Sequence, residues 1–294
     1  MRPRNVSRIG IGYALVDSCS FAQAKAAILA YAASEGPPSY VLTPNAQHVV
    51  LLNSDVYLRQ IYRDADLVVP DGFSLLLAAK IFGLSFPQRV AGVDLFQSLC
   101  EGAAEMGLRV FFLGGRPGSA DLAANHLKKI YPGLQVGTYC PKFGFEKDPS
   151  EMDGIAAAVE GFRPHILFVG LGAPKQEYWI HEHGRNLGVS VCIGIGGGFE
   201  MVGGVVRRAP KVLQHLGLEW LFRLCLEPGR MWRRYLIGNS QFLGIIVNQR
   251  LRRSLFRLLL HVLKNADFQP EMHDPQAYLE AVQLLSKDAS SRPH

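Results

Sequence analysis

The chain has 294 residues, 48% of them hydrophobic and 19% charged, a composition that excludes a disordered or fibrous protein and supplies a core for one large α/β domain or two smaller ones. Its five cysteines form no C-x-x-C pair, which excludes a disulfide scaffold and a zinc finger and fits a reducing compartment. The net charge of +6 is uneven: residues 205–264 carry twelve Lys and Arg against two acids, so the rest of the chain is mildly acidic and the basic segment points to an anionic partner, whether nucleic acid, an anionic membrane surface or a diphosphate.

The N-terminus imitates a signal peptide, with Arg2, Arg4 and Arg8 ahead of the apolar run Ile9–Val16. Two glycines inside that run and Asp17 at its end make it a first strand, Arg8–Val16, instead. Phe21–Ser34 is an Ala-rich helix and Tyr40–Thr43 a short strand. A helix follows from about Ala46 to Arg63, then a buried strand at Leu67–Val69 and helices at Phe73–Phe82 and Gly92–Met106. Arg109–Leu113 has the unbroken apolar character of a strand buried on both faces. Ser119–Ile130, Ser150–Gly161 and Pro174–Leu187 read as helices. Leu134–Tyr139, His165–Gly170 and Val189–Ile195 read as strands. Repeated strand–helix units predict a parallel sheet with helices on its faces.

From about Ala209 the period is helical. Leu213, Leu216, Leu218, Leu221, Phe222 and Leu224 are placed to line a broad apolar face, and Arg250–Lys264 is an amphipathic basic stretch. Three parts are expected: an α/β catalytic domain over 1–206, a basic helical appendage over 207–264, and a polar, mobile tail over 265–294 with one short helix at Tyr278–Leu285. No segment has the roughly 20 largely apolar residues of a spanning helix. The longest contender, Val189–Val206, holds six glycines and Glu200.

Ligands of parallel sheets sit at the carboxyl ends of the strands, so the residues just after each strand carry the functional reading. Thr43-Pro44-Asn45 offers groups for sugar hydroxyls or phosphate, although Asn45 is equally a helix cap. In Pro70-Asp71-Gly72 the Asp is placed for general-base work or for capping the next helix. Gly114-Gly115-Arg116-Pro117-Gly118-Ser119 is a glycine-rich turn at a helix start, suited to phosphate or to a tight βα connection, and it matches neither G-x-G-x-x-G nor a Walker A loop. Lys175 and Gln176 fall in the first turn of another helix at the same edge. Gly196-Gly197-Gly198 suggests a backbone pressed against a ligand or a helix.

Asp64-Ala65-Asp66 matches the D-x-D pattern of metal-dependent glycosyltransferases but precedes a strand, so no metal is assigned to it. No nucleophile signature is present, and His181 and His183 are two apart, on different faces of a helix.

Several segments taken together, in order, resemble one family. They are Thr43-Pro44-Asn45-Ala46-Gln47, Ala65-Asp66-Leu67-Val68-Val69-Pro70-Asp71-Gly72, Arg89-Val90-Ala91-Gly92-Val93-Asp94 and Phe112-Leu113-Gly114-Gly115. Gly170-Leu171-Gly172-Ala173-Pro174-Lys175-Gln176-Glu177, Gly194-Ile195-Gly196-Gly197, Arg207-Arg208-Ala209-Pro210 and Gly217-Leu218-Glu219-Trp220-Leu221-Phe222-Arg223-Leu224 complete the series. Over about residues 8–240 the chain is similar to the WecG/TagA/CpsF glycosyltransferase family (family 26). The resemblance implies an α/β, Rossmann-like parallel sheet flanked by helices, with a basic helical C-terminal appendage. It implies an inverting, metal-independent and cofactor-free transferase, peripheral on the cytoplasmic face of the cell membrane. Such an enzyme moves a hexose-type sugar (ManNAc, ManNAc-uronate, glucose or similar) from a UDP-sugar donor to a polyprenyl-diphosphate-linked acceptor for cell-surface polysaccharide.

Carried over residue by residue, Asp71 matches the general base, and Thr43 and Asn45 the pair that holds substrate beside it. Arg89 and Gln176 match further pocket residues, and Arg223, Arg230 and Arg233 the appendage arginines on the diphosphate. Lys175, Gly114, Gly115, Gly196 and Gly197 join the substrate-binding set through their positions at the strand ends. The anionic membrane surface is an expected partner, nucleic acid is not, and a homo-oligomer is left open. Two other readings compete. A nucleotide-cofactor oxidoreductase needs a glycine fingerprint after the first strand, where Val16-Asp17-Ser18-Cys19-Ser20 has none. A non-enzymatic nucleic-acid or membrane binder lacks a recognisable nucleic-acid module in the basic segment.

Overall fold

The computed structural model describes residues 6–265. The calls for a polar tail and for a helix at Tyr278–Leu285 lie outside the described residues, apart from residue 265. The chain forms two compact units, residues 1–248 and 249–294, and the sheet and the site lie in the first.

The expected first strand is a hairpin, β1 (Arg8–Ile11) and β2 (Ala14–Asp17), antiparallel and separate from the main sheet. The turn is made by Gly12, whose φ of +57° reverses the chain as a two-residue hairpin loop requires. Asp17 is buried, pairs with Arg8 at 2.9 Å, and accepts the Val68 N–H at 2.8 Å, which ties the hairpin to the sheet.

α1 (Phe21–Ala33) leads to β3 (Ser39–Leu42). The single helix expected at 46–63 is two, α2 (Ala46–Ser54) and α3 (Val56–Asp64). Asp55 divides them, its carboxylate accepting the Leu58 N–H at 2.8 Å as an N-cap. β4 (Leu67–Val68), α4 (Phe73–Ile81), α5 (Gly92–Glu105), β5 (Arg109–Gly114), α6 (Ser119–Ile130), β6 (Gln135–Tyr139), α7 (Pro149–Phe162) and β7 (Ile166–Gly170) follow. α8 (Lys175–His183) is shorter than expected, ending in a 3₁₀ turn at Gly184–Asn186. β8 (Val191–Gly194) is the last strand, before the short α9 (Gly198–Val202).

The six strands β3–β8 pair in parallel in the order β4-β3-β8-β7-β5-β6. Alternate residues of each strand enter opposite cores, as the strand period demands. Tyr40, Leu42, Phe111, Leu113, Leu167 and Val169 pack with the hairpin and with α2, α3, α4, α7 and α8. Val41, Val110, Phe112, Ile166, Phe168 and Ile193 pack with α1, α5, α6 and α9. Helices on both faces of a parallel sheet make an α/β fold of Rossmann-like layering.

The chain then runs through α10 (Lys211–His215), α11 (Glu219–Leu226), α12 (Pro228–Trp232), a π-helical turn at Arg233–Ile237 and α13 (Gly238–Asn265). The six apolar residues expected to line one face here are not a buried face: Leu216 is 60% and Leu221 42% exposed, and the other four are half-buried. Breaks at Gly217 and Pro228 interrupt the period they rest on. Among the described residues of α10–α13, the buried apolar groups are Met231, Phe242 and Ile246. No helix among the described residues is long and apolar enough to cross a membrane.

Candidate active site

The order in which strands are added reverses around β3, which pairs in parallel with β4 on one side and β8 on the other. That is where a parallel sheet leaves a crevice at its carboxyl edge. A cavity of about 660 Å³ opens there, lined by Thr43, Asn45, Asp71, Arg89, Gln176, Gly196 and Gly197 from the sheet side. Arg208, Arg223, Arg230 and Arg234 line it from residues 207–248.

The loops of the sheet side are held by their own hydrogen bonds. Asp71 N–H donates to Pro44 O at 3.0 Å, and Val90 N–H to Pro70 O at 2.9 Å. Gly72 admits this approach: a Cβ there would stand 3.0 Å from Asn45 Cβ. Thr43 Oγ1 donates to Gly194 O at 3.1 Å. Asn45 both caps α2, accepting the Gln47 N–H at 3.0 Å, and lines the cavity, so both sequence readings hold at once.

Asp71 Oδ1 accepts the Gly92 N–H at 3.0 Å, at the first turn of α5. Burial pushes the Asp71 carboxyl above its ordinary value, while the Gly92 hydrogen bond and the Arg89 charge pull it back. A carboxylate raised this way is a stronger base than a free one.

Beneath them runs a buried chain of polar groups that no single motif in the sequence announces. Asn45 N–H donates to His48 Nδ1 at 3.2 Å, and His48 Nε2 lies 3.3 Å from Glu177 Oε1. Gln176 Nε2 donates to the same oxygen at 2.8 Å, and Gln176 Oε1 accepts the Gly196 N–H at 3.0 Å. Three cavity loops are thereby locked to one carboxylate. The visible signal was a polar pair, Gln176-Glu177, in the first turn of a helix that buries both.

The opposite wall is cationic. Arg234 is half-buried, and burial together with Arg223 and Arg230 lowers its pKa, against the pull of Tyr235 and Asp71. Arg223 Nε is buried without a hydrogen-bond partner among the described residues. Like charges crowded this way make a site for an anion with several oxygens. Sequence reasoning chose Arg233 in place of Arg234. Arg233 is exposed, stacks on Trp232 at 5.2 Å, and does not line the cavity. The sequence holds no signal for that choice, because Pro228 and the π-helical turn at Arg233–Ile237 break the helical period after Arg223.

Ion pairs fasten this wall to the sheet rim. Arg208 grips both Asp94 oxygens, at 2.5 and 2.8 Å, and reaches Glu219 at 3.5 Å. Glu219 meets Arg89 at 3.3 Å, and Arg116 meets Glu227 at 2.6 Å. Burial raises the Asp94 carboxyl, but the Arg208 contacts outweigh it and hold it below its ordinary value. Gly217, at φ +73°, lies on the Phe73 ring, where a Cβ would come within 2.5 Å of a ring carbon.

Besides Arg233, three expected binding residues, Gly114, Gly115 and Lys175, stand apart from the cavity. The N–H of Gly115 is taken by Gly170 O at 2.9 Å and that of Arg116 by Glu200 Oε1 at 2.9 Å. A Cβ on Gly114 would meet Leu171 at 2.8 Å, so these glycines serve packing. Lys175 pairs with Glu146 over the Phe145 ring. In Asp64-Ala65-Asp66, Asp66 accepts the Tyr40 N–H at 3.1 Å and Asp64 lies 3.3 Å from His181 Nε2. No three metal-binding side chains converge among the described residues.

Residues 9–255 match the profile described as the glycosyl transferase WecG/TagA/CpsF family. A relative from Bacillus spizizenii, an N-acetylglucosaminyldiphosphoundecaprenol N-acetyl-beta-D-mannosaminyltransferase, is 33% identical over 213 residues, 72% of this chain and 80% of its own. The first βα turn of the main sheet, Thr43–Gln47, has no glycine, so the oxidoreductase reading fails at the true first strand as it did at the hairpin. The chain belongs to the WecG/TagA/CpsF glycosyltransferase family and is a glycosyltransferase.

Proposed function

We propose that the protein moves a hexose-type sugar from a UDP-sugar to a polyprenyl-diphosphate-linked saccharide, with inversion and without a metal ion. The observation that carries this reading is one cavity with a basic carboxylate on one wall and four arginines, Arg208, Arg223, Arg230 and Arg234, on the other. The relative's name supports N-acetylmannosamine as the sugar and a GlcNAc-diphosphate-polyprenol as the acceptor.

Asp71 takes the proton of the acceptor hydroxyl as that oxygen attacks the anomeric carbon from the face opposite UDP. Its Oδ1 is held by Gly92 N–H, leaving Oδ2 to receive the proton. Positioned general-base catalysis supplies about 10²–10⁴-fold. Negative charge grows on the departing UDP, and Arg223, Arg230 and Arg234 neutralise it. Thr43, Asn45 and Gln176 orient the sugars. The enzyme works at the inner face of the membrane as a peripheral protein. Its basic 207–264 segment is attracted to anionic lipid by about 1 kcal/mol per Lys or Arg near the surface.

A mass-spectrometric transfer assay tests this. Purified protein is given a short-chain polyprenyl-diphosphate GlcNAc and a panel of UDP-sugars, with and without EDTA. UDP-ManNAc is expected to give product that survives EDTA. Product lost with EDTA refutes the metal-independent reading; product only from another donor corrects the sugar.

A further inference from the structure

The cavity has an end that sugars and phosphates do not explain. Beyond Asp71 it is lined by Phe73, Leu77 and Ile81 of α4, facing Leu243 and Ile246 of α13. Phe73, Leu77 and Ile81 recur every fourth residue, so they form one stripe along the helix, about 12 Å long. The stripe begins two residues after Asp71. Leu77 is 53% and Ile81 39% exposed, and Leu243 of α13 is 58% exposed, while Ile246 is buried and Gly217 rests on the Phe73 ring. Exposed apolar groups in a row, continuous with a catalytic cavity, mark a ligand or partner surface.

We propose that this α4–α13 groove binds the proximal isoprene units of the acceptor's polyprenyl chain. The inference rests on the transferase reading and adds a subsite to it. The cavity is cationic at the arginine wall, acidic at Asp71 and apolar along α4. Of the two substrates of the proposed reaction, only the isoprenoid diphosphate saccharide carries a hydrocarbon chain. A nucleotide sugar has no hydrocarbon part to cover the stripe. Seating the first units here fixes the acceptor hydroxyl relative to Asp71, so chain length is felt in the rate and not only in membrane partitioning.

The test compares geranyl- and geranylgeranyl-diphosphate GlcNAc acceptors in detergent-free buffer, using full-length protein, Leu77→Gln and Leu243→Gln. Leu122→Gln, on an equally exposed residue outside the cavity, is the control. The parent and the control are expected to favour the longer chain in kcat/KM by about tenfold or more, and the two groove variants to lose most of that preference. Binding of geranylgeranyl diphosphate against inorganic diphosphate, by calorimetry, reads the groove without any transfer. The groove variants are expected to weaken only the former, by about tenfold. If transfer fails with every donor but this binding difference holds, the transferase reading falls and the groove stands. Unchanged chain-length preference and unchanged binding overturn the proposal. So does a loss of vesicle binding, or of self-association, with isoprenoid binding intact, since the stripe is then a bilayer or protein contact.

Discussion

The turns after β4 and β5 stand on the same edge of one sheet, and both carry glycines that invite a ligand. At Pro70-Asp71-Gly72 the glycine lets the Asn45 loop close in, and the carboxylate beside it faces the cavity. At Gly114-Gly115 the glycines let Gly170, Leu171 and Phe199 close in, and the turn's N–H groups are spent on Gly170 and Glu200. A glycine-rich strand end is therefore evidence of close approach, and what approaches decides the function. The first turn brings a titratable group to the crevice beside β3. The second, three strands away from β3, seals the core around Phe112 and Phe199.

The widest separation between the two turns is expected from Asp71→Asn. Transfer falls about 10³-fold, while the thermal midpoint holds or rises. The sign follows from the raised pKa: the folded state favours the protonated carboxyl, so that stability is present at low pH and is lost as pH rises through the folded value. Replacing the ionised group removes a cost at neutral pH. The same shift puts the acid limb of kcat/KM above the ordinary carboxylate value of about 3.9. Arg89→Ala moves it higher still, because a cation that favours the ionised form is gone; a pH–rate profile of both proteins measures this.

Next in size is the arginine wall. Arg234→Ala is expected to slow transfer by about 10²-fold, the usual effect of one preorganised electrostatic contact. Arg233→Ala, one residue away, changes it by less than about threefold, as for an exposed surface group. Steady-state kinetics with UDP-sugar separates them, and equal losses contradict the assignment of Arg234.

Gly115→Ala tests the packing role directly. Its φ of +82° and a Cβ 2.4 Å from Ser119 Oγ predict a destabilisation of about 1–3 kcal/mol with UDP affinity changed less than about twofold. Denaturant melts and UDP titration decide it; a stable protein that no longer binds UDP reverses the roles of the two turns. The smallest effect belongs to Arg208→Ala. It opens the clasp to Asp94 and Glu219 and costs about 1 kcal/mol, since both ends of the pair are partly solvated. High salt should shrink the difference from the parent, read as a thermal midpoint.

Much of this was legible before any coordinates. The short apolar runs at Arg109–Leu113 and His165–Gly170, alternating with helical segments, point to a parallel sheet, and Asp71, Thr43 and Asn45 fall where such a sheet binds ligands. What was not legible depended on contacts distant in sequence. Gly12 turns Ile9–Val16 into a hairpin because Val49 and Ile245 lie against it, and nothing local distinguishes that glycine from Gly10. Glu177 and His48 are surface-type residues until α8 packs beside α2. Arg234 and Arg233 differ only in which side of a π-helical turn meets the cavity.

The central claim is that the nucleotide diphosphate lies on the arginine wall across from Asp71. A crystal structure of the complex with UDP tests it most directly. Phosphate oxygens are expected within hydrogen-bond distance of Arg223, Arg230 and Arg234, with the terminal phosphate toward Asp71. A diphosphate seated on the backbone N–H groups of the Gly114–Ser119 turn contradicts it.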